Sequence, residues 1–246
     1  FQRCYDAEFM VDIPNPETQA GLIEIGRTIF EIFVPRAWLL TSRYGAHYIG
    51  VEYRANIEEV RVAVAERGIR IVRDIGLALH THPEDTLGVA FEFYDGDFHW
   101  REWDELGGRQ IHPAEVWRDH PLGITGLKCF TLAVEDLAAA STFLQGFLSG
   151  EVVYEAERPA LAARAVGLKV ADGVIELQAA TGEGELQRHL YRYGQGIRST
   201  VFQVKDIAAA GRFLAERNVA TAPGFMEASL TVHAAANLGV IFEFAE

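Results

Sequence analysis

The stretch "TLGVAFEF" at residues 86–93 returns as "NLGVIFEF" at residues 237–244, 151 positions later, with Glu92 and Glu243 matched. In both copies a carboxylate stands between large apolar neighbours. That is the alternation of a strand that turns one set of side chains into a core and the other set away from it. Either the strand is repeated because a core requires it, or because it carries a carboxylate into a site.

Other phrases recur at nearly the same offset. "VAERGIRIV" (64–72) is echoed by "LAERNVATA" (214–222), and "RYGAHYIGVEY" (43–53) by "RYGQGIRSTVFQV" (192–204). "TIFEIFVP" (28–35) matches "GVIELQAA" (173–180), which pairs Glu31 with Glu176. The chain is therefore a duplication of two homologous halves. Their expected bounds are 1–95 and 124–246, joined by a polar linker over 96–123 whose neighbourhood carries Trp100, Trp103 and Trp117.

Each half divides again. From Gly196 the sequence predicts a strand, Asp206 as helix N-cap, an amphipathic helix, and three strands, "VATAPGF", "ASLTVHAA" and "GVIFEFAE". The same β-α-β-β-β order starts at Leu127, with Asp136 as cap, and at His47. Residues 3–35 supply only the last three strands, "RCYDAEFMV", "AGLIEIG" and "TIFEIFV", so the first module's own strand and helix are expected upstream of Phe1. The expected fold class is α+β, with tandem βαβββ modules forming two curved half-barrel units.

Composition narrows the function. No stretch approaches the roughly 20 apolar residues needed to span a bilayer. Residues 1–9 lack the pattern of a signal peptide, and two cysteines give no disulfide framework, so the expected location is cytoplasmic. A net charge of −13 with no basic cluster argues against nucleic acid as a partner. The expected partner is a small molecule. The sequence leaves open whether the halves pair within one chain or across a homodimer.

Paired βαβββ units whose closing strands read Gly-(hydrophobic)3-Glu-(hydrophobic) resemble the vicinal oxygen chelate superfamily. "LHTHPEDTLGVAFEF" is similar to the methylmalonyl-CoA epimerase-like branch. The resemblance implies a divalent metal (Fe, Mn, Co, Ni or Zn) held by His from first strands and Glu from closing strands. Open positions would chelate two neighbouring substrate oxygens, with the metal as Lewis acid.

On that pattern the metal ligands would be Glu31, Glu92 and His47. The family's first-strand His lies seven residues before the helix cap, a position held here by Cys129 and Ser199. In module 2 the position falls on Tyr48, with His47 just before, and His47 would serve only if the strand start is bulged. Strand alternation sends Glu52 to the same side as Tyr48, where a carboxylate can take a proton from a carbon beside a carbonyl; Gln203 is its expected counterpart. His82 matches a loop-shaping His-Pro position. Cys129, Glu176, Ser199, Gln203 and Glu243 would line a substrate pocket in the second half.

The expected activity is an isomerase, epimerase or lyase working through a metal in the N-terminal half. Alternatives are a metal-free protein that binds or sequesters a small molecule, a metal-free acid–base enzyme, and an extradiol-type ring-cleaving dioxygenase.

Overall fold

The computed structural model describes residues 1–14, 18–35, 45–96 and 105–246. Module 1 contains α1 (Gln2–Tyr5), β1 (Glu8–Pro14), β2 (Thr18–Ile25) and β3 (Thr28–Pro35). Module 2 runs β4 (Gly50–Arg54), α2 (Ile57–Glu66), β5 (Ile71–Asp74), β6 (Ala78–Thr81) and β7 (Ala90–Tyr94). A short helix, α3 (Ala114–Asp119), follows. Module 3 is β8 (Ile124–Ala133), α4 (Leu137–Leu148), β9 (Glu151–Arg158), β10 (Ala163–Val170) and β11 (Gly173–Ala180). After α5 (Glu185–Tyr193), module 4 is β12 (Gly196–Val204), α6 (Ile207–Glu216), β13 (Ala222–Pro223), β14 (Ser229–Val232) and β15 (Ile241–Ala245). The fold is α+β, built of βαβββ modules as the repeats require.

The helix starts fall where the sequence puts them. Asn56 accepts from the amides of Glu58 and Glu59, Asp136 from that of Ala139, and Asp206 from that of Ala209. Each cap satisfies main-chain donors that a helix start leaves without partners. Among the described residues no helix is long and apolar enough to cross a membrane.

Three local expectations are corrected. "RCYDAEFMV" is not one strand: residues 2–5 form a single helical turn and pairing begins at Glu8. The turn is held because Tyr5 is fully buried, with its hydroxyl donating to Asn237 Oδ1 at 2.8 Å. Asp6 then adopts a left-handed conformation (φ 52°) that breaks the run. The first strand of module 2 begins at Gly50, so His47 and Tyr48 precede it. The second strand of module 4 shrinks to Ala222–Pro223, because proline offers no amide to continue a ladder. "ELQRHLYRY" forms helix α5, with Leu186 buried.

The contacts sort the chain into two compact units. Unit 1 comprises residues 1–47, 101–130 and 199–246; unit 2 comprises 48–100 and 131–198. Module 1 thus shares a unit with most of module 4, and module 2 with most of module 3.

In unit 1, β1, β2 and β3 form an antiparallel sheet, and β13-β14-β15-β12 are neighbours in that order, with β12 parallel to β15. The linker region is tied to β2 through the fully buried Glu24, whose carboxylate accepts from Trp117 Nε1 at 2.8 Å and Arg109 Nη2 at 3.0 Å. Trp117 therefore packs the linker down as expected; Trp100 and Trp103 lie outside the described residues.

In unit 2, module 2 forms the sheet β4-β7-β6-β5, with β4 parallel to β7. One face carries Tyr53, Phe91 and Phe93. The rings of both phenylalanines meet Phe147 of α4 edge-on, at centroid distances of 6.1 and 5.8 Å. That aromatic contact is what the apolar half of "AFEFY" is for. The other half faces away from it.

Candidate functional site

The four closing-strand glutamates occupy one structural position, and each has acquired different company. The residue opposite them on the neighbouring strand is Leu22 for Glu31, His80 for Glu92, Gly167 for Glu176 and Thr231 for Glu243. That one residue changes the chemistry available to the carboxylate.

In module 2 the row across adjacent strands is Glu52, Glu92, His80 and Arg73. The carboxylate oxygens of Glu52 and Glu92 lie within 4.8 Å of each other. His80 Nε2 sits 2.8 Å from Glu92 Oε2, and the two side chains are only 15% and 10% exposed. His80 Nδ1 is buried and has no hydrogen-bond partner among the described residues. Tyr94, two residues after Glu92, has its phenol pushed above the ordinary range by burial, then by the negative charge of Glu52 and Glu92. Two carboxylates sharing one partly buried face repel each other and call for a cation or a proton between them. The donor set, carboxylate oxygens with an imidazole beside them, fits a first-row divalent metal.

In module 3 the position is closed. Glu176 is fully buried and accepts from Arg158 Nε at 3.0 Å, Tyr154 Oη at 2.8 Å and Gln178 Nε2 at 2.7 Å. Tyr154 reaches it by crossing over Gly167, where an added Cβ would sit 2.3 Å from the ring. The guanidinium of Arg158 supplies the positive charge permanently.

In module 4, Glu243 is buried and accepts from the amides of Met226 at 2.9 Å and Phe225 at 3.2 Å, with Ser229 Oγ at 3.1 Å. It clamps a turn. Cys129 and Ser199 are both buried, the first on β8 and the second opposite Ile241. Gln203 is exposed and pairs with Ala245. The residue paired with Glu243 on the first strand is Val201, so Val201, not Gln203, stands where Glu52 stands in module 2. Strand pairing, rather than distance along the chain, sets the match.

Of the residues expected from sequence, unit 2 brings Glu52 and Glu92 together. Tyr48 is half-buried ahead of β4. His47 is exposed and its Nδ1 lies 3.0 Å from Gly45 O. In unit 1, Glu31 is half-buried on β3. His82 caps the short turn Pro83–Asp85, its Nδ1 accepting from the Glu84 amide at 3.2 Å, which is the loop-shaping role expected of it. His80 was missed as a site residue. Its signal was present: His80 and Glu92 lie equally far either side of Thr86 in the turn, so the antiparallel return of the chain brings them opposite. A groove of about 510 Å³ at the start of α2, lined by Arg54, Asn56, Glu58 and Asp95 among others, holds none of the expected residues. It is an open surface groove, so the carboxylate row is the better site.

No family model and no curated protein sequence matches the chain. Solved structures do. Methylmalonyl-CoA epimerase from Mycobacterium tuberculosis is 26% identical over 49% of this chain and 87% of its own, with a TM-score of 0.46. A methylmalonyl-CoA epimerase variant from Streptomyces coelicolor, bound to 2-nitronate-propionyl-CoA, is 19% identical over 49% of this chain and 96% of its own, with a TM-score of 0.47. A triple variant of 4-hydroxymandelate synthase from Streptomyces coelicolor is similar over 99% of this chain and 85% of its own, at 11% identity and a TM-score of 0.72. That last match spans the whole repeat array, and the modules and their closing strands agree with it: the chain has the vicinal oxygen chelate fold.

Proposed function

We propose that this chain is a vicinal-oxygen-chelate-type enzyme that acts on a small oxygenated metabolite through a divalent metal held in module 2. The observation that carries this reading is the close approach of Glu52 and Glu92 on one partly buried sheet face, with an imidazole beside Glu92. Glu92 is the proposed metal ligand. Glu31, the matching glutamate of module 1, is proposed as a further ligand on its motif alone. A divalent metal bound there would supply Lewis acidity to substrate oxygens. Glu52 is the proposed base, taking a proton from the carbon beside the chelated oxygen, which gives an isomerase, epimerase or lyase. Tyr48 is proposed to line the pocket. His47, engaged with Gly45 O and ahead of the strand, is left out of the ligand set.

Modules 3 and 4 are proposed to be degenerate. Glu176 and Glu243 already have their hydrogen-bond donors, so a substrate has nothing to gain from either carboxylate.

A second reading is a metal-free small-molecule binding protein. It is favoured by the 2.8 Å contact of His80 with Glu92, which gives the carboxylate a hydrogen-bond partner without any metal. Metal analysis of the full chain after equilibration with Mn²⁺, Fe²⁺, Co²⁺, Ni²⁺ and Zn²⁺ separates the two. The enzyme reading expects one equivalent of one of these metals in the wild type, lost in Glu92→Ala and kept in Glu243→Ala. A wild-type chain that holds none of them leaves the binding-protein reading.

A further inference from the structure

We propose that His80 is the nitrogen ligand of the module 2 metal, supplied from the strand before the closing strand rather than from a first strand. The assignment rests on the reading of Glu92 as a metal ligand, and deepens it.

In the register set by strand pairing, Ser199 on β12 is matched by Gly50 on β4, and neither offers an imidazole. A site of carboxylates alone suits hard cations such as Mg²⁺ or Ca²⁺, whereas an imidazole shifts preference toward first-row transition metals. His80 provides that imidazole. It stands directly opposite Glu92 in the β6–β7 ladder, with Glu52 on the other flank of Glu92, so three adjacent strands present their side chains to one face. Neighbouring strands about 4.8 Å apart keep side chains on that face within reach of one another.

The distance agrees. Two ligands each about 2.1 Å from a metal, at roughly a right angle, lie about 3 Å from each other. His80 Nε2 and Glu92 Oε2 are 2.8 Å apart, so the step from hydrogen-bonded pair to shared coordination needs a small rotation. Nδ1 is buried and forms no hydrogen bond among the described residues, and the contact to Glu92 orients Nε2. Coordination through Nε2 uses the neutral tautomer that carries its proton on Nδ1, so the ring gives up its hydrogen bond to Glu92 as it binds.

The other modules supply the contrast. The residue in the place of His80 is Leu22, Gly167 or Thr231, none of which offers a nitrogen lone pair. The donors that reach Glu176 and Glu243 are a guanidinium, a phenol, a side-chain amide, main-chain amides and a serine hydroxyl. Among these four pairings, module 2 alone sets an imidazole opposite its closing-strand glutamate.

The test uses the full chain loaded with Mn²⁺. Electron spin-echo spectroscopy reads the ¹⁴N modulation of a directly bound imidazole, and titration calorimetry reads affinity. The expected result is imidazole ¹⁴N modulation in the wild type and in His47→Gln, absent in His80→Gln, with Mn²⁺ binding in His80→Gln weaker by on the order of 100-fold. Imidazole ¹⁴N modulation that persists in His80→Gln means that another histidine is bound and overturns the assignment. Mn²⁺ binding without ¹⁴N modulation in the wild type also overturns it, while leaving the metal reading intact, and does so even if the variant fails to fold. A wild-type chain that binds no Mn²⁺ and none of the other four metals removes the metal reading and the ligand assignment together.

Discussion

Arg158 and Glu176 form an ion pair in which the carboxylate is fully buried and the guanidinium only 15% exposed, joined through two nitrogens and both oxygens. A bidentate pair of this kind has already met the desolvation cost of both charges, so what matters is the cost of leaving one alone. Arg158→Met strands Glu176 and is expected to lower stability by about 3–5 kcal/mol, read from urea unfolding. Arg158→Met combined with Glu176→Leu removes both charges and is expected to recover most of that loss.

Gly167→Ala acts on the same carboxylate through Tyr154. The new methyl meets the Tyr154 ring and pushes the phenol off Glu176, at an expected cost of about 1–3 kcal/mol. In the background Tyr154→Ala the same substitution is expected to cost far less, and a double-mutant cycle measures that coupling.

Glu92 and Glu243 should separate function from stability. Glu243→Ala leaves the amides of Phe225 and Met226 without their acceptor, so it is expected to cost about 1–3 kcal/mol and leave metal content unchanged. Glu92→Gln removes one of two neighbouring negative charges, so its unfolding midpoint should stay near that of the wild type while metal binding is lost. Melting curves and metal content on the same two preparations decide the matter.

His189 gives a pH signature. Burial pushes its imidazole down to about 4, with the charge of Arg198 adding to the effect. A depressed histidine binds fewer protons folded than unfolded, so stability is intact above the unfolded value near 6.5 and falls as pH drops from there toward 4. The loss across this window is expected to be at most about 3 kcal/mol, and His189→Phe should flatten that part of the stability profile.

The modular fold was legible because repeats, caps and alternation are local signals. Asp136 and Asp206 cap helices as read, and Phe91 and Phe93 face the core as alternation requires. Local signals failed where distant packing decided. Tyr5 became helical because its hydroxyl finds Asn237, and Pro223 cut a strand short. At the candidate site Glu52 and Glu92 were readable from one-strand periodicity. The partners of the glutamates were not, because His80, Arg158 and the Met226 amide reach them across strands or turns whose register a single sequence does not spell out.

The alternation of "AFEFY" has a consequence for how the copies drifted apart. Because the residues on either side of the glutamate pack into the core, the position between them is released from that duty. A duplicated module can lose its original chemistry there and still fold, and the idle carboxylate becomes raw material. In one copy it was recruited as an internal rivet, in another as a turn fastener. Redesign can run the same way: new side chains opposite a closing-strand glutamate can be explored while the aromatic scaffold stays untouched.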